Sequence, residues 1–352
     1  MSQNIKYLNI DEQIEHLESK GLIIPSKKMA KKYLTDIGYY KLINGYRGPF
    51  MGIIRDNSGI QKKKYCENTS IDDLYHLYEF DQGIKELIFS FISKIEVMVK
   101  ARMSDIISST FGIKESEYLI QSNFKSDSAK EKSEFLEIHT EILGAINKQK
   151  DKHSAISWYS KNYGYYPFWV VSNILTLGTI SLLYSKMKQP DQYAISKTFN
   201  LRAKTFESVL MIMQLFRNAC AHNEIIFNYK TRCSLSHDYI ENIYKAYKIN
   251  KNPKTGRYMH GENDVFAIII IFKLLLTEGI YNEFIARFKS LLLKLKKKID
   301  DTKYQDILLT MGIVDDLSVI KDLKVWCFKF FGLPKVLLKV SSKVSSRSAT
   351  VS

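Results

Sequence analysis

A chain of 352 residues, 45% hydrophobic and 25% charged, has the composition of a soluble globular protein, with length for one large core or two modest ones. Lys and Arg number 52 against 37 Asp and Glu, a net charge of +15, which favours an anionic partner, nucleic acid before acidic membrane, over a merely solvated basic surface. The four cysteines (Cys66, Cys220, Cys233 and Cys327) form no CxxC pair and no metal-ligand spacing with histidine, so neither a disulfide framework nor a metal site is expected, and a reducing compartment fits.

The polar, acidic start MSQNIKYLNIDEQIEHLESK does not read as a signal peptide. Ser26 is placed to cap a short helix over SKKMAKKYLTDI. The aromatic, glycine-punctuated stretch GYYKLINGYRGPF follows at 38–50, then a polar segment readable as loop or hairpin. Ser70 and Asp73 form a capping box that opens a long helix through Leu74, Tyr78, Leu87, Phe91 and Ile95, with Gly83 a point of interruption. One amphipathic helix is expected around EFLEIHTEILGAI, and Pro167 stands at a natural first helical position for PFWVVSNILTLGTISLLYSKM. Beyond residue 240 the pattern stays helical, and the Ser- and Lys-rich tail after Pro334 reads as disordered. The longest apolar run, VFAIIIIF at 265–272, is too short to span a bilayer, so a cytoplasmic location is expected. These readings divide the chain into an N-terminal helical and aromatic region (1–70), a helical core (71–240), a C-terminal helical region (241–333) and a tail (334–352).

Residues 216–224, FRNACAHNE, place Arg217, Asn218 and His222 at the far end of a mostly apolar helix. At ~100° per residue, Phe206, Val209, Met213, Phe216 and Cys220 share one narrow core stripe. Asn218 and His222 lie nearly opposite it beside Met211 and Leu215, with Arg217 at the flank. A face mixing two apolar residues with Asn and His is expected to be covered, by another helix or by a second copy of the chain. The chemistry suits RNA cleavage without a metal: Arg is a permanent fork for phosphate, and His exchanges a proton near neutral pH. Asn can orient the imidazole while a ribose 2′-hydroxyl attacks its own phosphodiester. An Arg and a His five residues apart are not specific by themselves.

The string RNACAH resembles the R-x4-6-H motif of HEPN ribonucleases, and RNACAHNEIIFNY is similar to a segment of the abortive-infection proteins of the AbiD/AbiF (Abi-2) family. GLIIPSKKMAKKYLTDIGYYKLINGYRGPF, IDDLYHLYEFDQGIKELIFSFISKIEVMVKARM and YYPFWVVSNILTLGTISLLYSKM match that family too, in order, over about residues 20–230. The resemblance implies an all-α fold, a HEPN-like helical bundle with N- and C-terminal helical extensions. It also implies an anti-phage endoribonuclease toxin, acting as a homodimer whose two motifs form one composite site, in some relatives with a small non-coding RNA partner. By this carry-over Arg217 binds phosphate, His222 does acid–base work and Asn218 orients. Position 224 is Glu, so the modifiable tyrosine of some HEPN toxins has no counterpart here. No cofactor is implied.

Other candidates carry two readings each. Glu96 is an accessory carboxylate or the i,i+4 partner of Lys100, and Asp81 reads likewise against Lys85. Tyr39, Tyr40 and Tyr46, interleaved with Lys41 and Arg47, are base-stacking residues or an aromatic mini-core. Lys62, Lys63 and Lys64 suit phosphate contacts or a solvated loop. The basic, aromatic stretch KVWCFKFFGLPKVLLK reads as a membrane-surface segment or a final packed helix. The alternatives to a ribonuclease are therefore an RNA-binding protein that does not cut and a membrane-associated scaffold.

Overall fold

The computed structural model describes residues 7–55, 61–236, 241–246 and 249–314. Fourteen helices and one hairpin make up these residues, so the fold is all-α. The N-terminal part holds α1 (Ile10–Ser19), α2 (Lys27–Ile37), a π-helical turn over Tyr40–Asn44 and a 3-10 turn over Gly48–Phe50. The polar segment after it forms an antiparallel hairpin, β1 (Met51–Arg55) with β2 (Gln61–Tyr65), in the register Met51 to Tyr65.

The long helix α3 (Ile71–Phe111) is the axis of the molecule. Its capping box is present: the Asp73 carboxylate accepts from the Ser70 N–H at 2.7 Å, and the Ser70 hydroxyl accepts from the Asp73 N–H at 3.3 Å. Gly83 does not interrupt it. A Cβ there would sit 2.8 Å from Leu291 Cδ2, so the missing side chain lets another helix approach closely.

After α3 come α4 (Glu115–Tyr118), α5 (Ala129–Gln149), α6 (Ser154–Asn162), α7 (Phe168–Val171), α8 (Leu177–Lys186) and α9 (Gln189–Lys197). Pro167 caps α7 rather than entering it. The chain then makes a 3-10 turn over Ser172–Ile174, and Thr176 caps α8 separately, so the expected continuous helix is broken. The remaining helices are α10 (Ala203–Ala221), α11 (Glu241–Ala246), α12 (Val265–Leu275), α13 (Glu278–Lys296) and α14 (Asp301–Thr310).

α10 runs antiparallel to α3: Arg102 donates to the Thr198 carbonyl just before α10, while Lys85 bonds Asn223 just after it. α13 packs on α3 from another side, with Phe284 5.2 Å from Phe91 and 4.8 Å from Phe272 between ring centroids. One continuous cluster of buried apolar side chains runs from Ile14 to Ile313, tying the helices beyond residue 240 to α3. Among the described residues, no helix is long and apolar enough to cross a membrane. The tail and KVWCFKFFGLPKVLLK lie outside the described residues.

Candidate active site

The core stripe expected of α10 is present: Phe206, Val209, Met213, Phe216 and Cys220 are all buried. The opposite face is open within the described chain. Met211 is 38% exposed, Leu215 and Asn218 are half-buried, and His222 is exposed. This face is therefore not part of the buried core of the described residues. Arg217 leans the other way, its guanidinium 5.8 Å from the centre of the Phe89 ring on α3.

His222 is the C-cap of α10. Asn223 follows in the left-handed region at φ 58°, its N–H bonding the Cys220 carbonyl at 3.2 Å. The Glu224 N–H returns to the Ala219 carbonyl at 2.9 Å. That pair of bonds is a Schellman ending, with Asn in the position that glycine usually fills. It throws the chain sharply off the helix axis and leaves the His222 side chain at the rim.

The segment beyond is held by α3. The Asp81 carboxylate, fully buried, accepts from the N–H groups of Ile226 at 2.8 Å and Phe227 at 2.7 Å through one oxygen. Its other oxygen accepts from the Tyr46 hydroxyl at 2.9 Å. Lys85, one turn on, lies 3.6 Å from Asp81 and donates to the Asn223 side-chain oxygen at 2.6 Å. Burial pushes the Asp81 carboxyl up from its ordinary value, while the Phe227 N–H, the Lys85 ammonium, the Tyr46 hydroxyl and the Ile226 N–H pull it back. Burial likewise pushes Lys85 down and Asp81 opposes that. The expected i,i+4 ion pair is therefore present, but its main work is to fasten two distant segments.

Tyr46 is thereby corrected as a base-stacking candidate. Its ring is 0% exposed, and it stacks on Phe227 at 6.0 Å, so no base can reach it. The mini-core reading holds for this residue, and a Cβ on neighbouring Gly45 would meet Ile225 Cδ1 at 2.9 Å. Tyr39 is half-buried, whereas Tyr40 is 80% exposed and Arg47 is exposed. Lys41 is half-buried and close enough to Lys85 for the two charges to repel, so it stands near the end of α10. Lys63 and Lys64 are exposed on β2; Lys62 pairs with Ile54 in the hairpin register, and its side chain lies outside the description. Glu96 pairs with Lys100 at 2.7 Å and lines a cleft beside α3 instead of touching the motif residues.

Two sets of residues escaped the sequence reading. Asn223 gave one signal, an Asn directly after the motif's His, where a helix must stop. The other set is a surface ladder of rings: Trp158 contacts Tyr159 and Tyr163 at 5.0 and 5.4 Å, and Tyr163 contacts Tyr165 at 5.8 Å. The spacing of aromatic residues in SWYSKNYGYYPFW is its trace in the sequence.

No curated protein and no solved structure matches the chain. A model of the Abi-like protein family matches residues 32–228, a span that contains Tyr46, Asp81, Lys85 and the whole end of α10. That span is more than half of the chain, and this protein belongs to the Abi-like family, whose role is abortive-infection defence.

Proposed function

We propose that this protein is a metal-independent endoribonuclease whose cutting of RNA is the effector step of abortive infection. Arg217 grips the scissile phosphate and offsets its developing charge, and His222 relays the proton, with Asn218 orienting it. The ribose 2′-oxygen forms the new bond to phosphorus and gives up its proton. The 5′-oxygen leaves and is protonated, so the products are a 2′,3′-cyclic phosphate and a 5′-hydroxyl.

The observation that carries this reading is the exposure of His222, with Asn218 half-buried one turn before it, at a helix end that buried polar bonds hold in place. Roughly 140° of helix separates Arg217 from His222, so one protomer grips a phosphate poorly from both. Two copies facing through Met211 and Leu215 would bring two of each into one cleft, and the working form is assigned as that homodimer. A small non-coding RNA holding the enzyme in check belongs to the same reading, and sequencing RNA that copurifies with the protein would find it.

The test is incubation of purified protein with RNA in EDTA, with the ends of the products mapped. Cyclic-phosphate ends that vanish in His222→Ala and Arg217→Ala support the proposal; 5′-phosphate ends that require Mg²⁺ overturn it. The exposed ladder around Trp158 and Tyr163 favours a second reading, an RNA-binding protein that does not cut, and in that case RNA is retained intact.

A further inference from the structure

A second concave feature lies away from His222. It is a cleft of about 870 Å³ between the second half of α3 and the bent segment carrying Trp169 and Asn173, a volume usual for a small-molecule site. It exists because this face of α3 carries small side chains (Ser93, Ala101, Ser104, Ser108) where its core face carries Ile, Phe and Val. The walls are pinned. Lys100 donates to the Leu175 carbonyl at 2.7 Å, Ser104 bonds Ser172 at 3.2 Å, and the Asn173 amide holds the Trp169 carbonyl at 2.8 Å. The cleft is therefore built before any ligand arrives.

Its lining specifies the ligand. Trp169 offers a ring 43% exposed, next to the apolar surface of Val97 and Ala101. Around these stand hydroxyls, the Asn173 amide, the paired Glu96 and Lys100, and Asp105. The buried Ser108 hydroxyl has no hydrogen-bond partner among the described residues. Two carboxylates against one ammonium make a poor phosphate site even in a chain of +15. A flat aromatic face with neutral donors and acceptors at its rim suits an uncharged planar heterocycle.

The position ties the cleft to the motif. Phe89, on which Arg217 rests, shares one ~80° arc of α3 with Ser93, Glu96, Lys100 and Ser104, and Glu96 lies only ~10 Å along the axis from Phe89. We infer that the cleft holds an unstacked nucleobase of the RNA strand whose phosphate Arg217 grips, on Trp169 as its platform. The inference rests on the ribonuclease reading for the identity of the strand. It adds a specificity pocket to that site.

The test uses the full chain with Trp158→Phe and Trp326→Phe, which leaves Trp169 as the single tryptophan. Its fluorescence is titrated with the four nucleoside 5′-monophosphates, with ribose 5-phosphate and with short oligoribonucleotides. Saturable quenching by nucleotides but not by ribose 5-phosphate is expected, with oligoribonucleotides binding more tightly. Ala101→Leu, which fills the cleft, is expected to weaken binding at least about tenfold, the scale of one lost base stack. In RNA cleavage the same variant should level the base preference next to the cut. Equal quenching by ribose 5-phosphate, or quenching indifferent to Ala101→Leu, overturns the pocket. Quenching by mononucleotides but not by oligoribonucleotides overturns its assignment to the strand. If the wild type cuts no RNA, the ribonuclease reading falls, while the mononucleotide titration still decides the pocket.

Discussion

The Lys85 ammonium donates to the Asn223 side-chain oxygen at 2.6 Å across 138 residues of sequence. Asn223 adjoins His222, and Lys85 adjoins Asp81 by one helical turn, so the end of α10 hangs on two neighbouring side chains of α3. The position of the motif is thus fixed from outside its own helix.

Removing the Asp81 charge should be costly, because it leaves Lys85 buried against a neutral group. Asp81→Asn is expected to lose roughly 3–5 kcal/mol of stability. Tyr46→Phe removes one hydrogen bond to a charged acceptor and should cost less, about 1.5–3 kcal/mol. Urea unfolding of the two variants checks the order. Equal losses would mean that Asp81 is not the hub of this network.

Asn223 tests the helix ending. At φ 58° glycine is comfortable and a β-branched residue is not. Both Asn223→Gly and Asn223→Val lose the Lys85 bond, so the difference between them, ~1–2 kcal/mol in favour of Gly, isolates the backbone strain. Cleavage of RNA should fall further in the Val variant, since its strain acts next to His222. Thermal unfolding paired with the cleavage assay reads both effects.

Leu215→Glu should separate assembly from folding. Leu215 is half-buried on the open face of α10, so the charge should change protomer stability by less than about 1 kcal/mol. Sedimentation is expected to show dissociation, and cleavage should fall with it. A variant that sediments and cuts as the wild type does would remove this face from the interface.

Cys220 gives a pH-dependent readout of the motif helix. Burial pushes its thiol up to about 12, with Lys85 opposing the shift and Asp81 adding to it. A raised pKa keeps the thiolate population negligible at neutral pH, and it grows only as the pH climbs toward that value. Iodoacetamide at pH 8 should therefore leave Cys220 unmodified in the native protein and label it after denaturation, as peptide mass mapping would show. Asp81→Asn, by loosening the end of α10, should raise its labelling in the native state.

Much of this was legible locally. The Ser70–Asp73 capping box and the buried stripe of α10 depend on residues three or four apart, which any helix brings together whatever surrounds it. The same periodicity placed Asn218 and His222 opposite the core. The tertiary structure alone decided that Tyr46 is buried, that Asp81 takes the N–H groups of residues 145 and 146 positions away, and that Trp169 faces a cleft. It also broke the expected helix after Pro167, where Lys100 claims the Leu175 carbonyl. Local periodicity fixes which face of a helix is apolar, but a buried polar group is satisfied by whichever segment the packing brings to it, and that partner has no fixed spacing in the sequence.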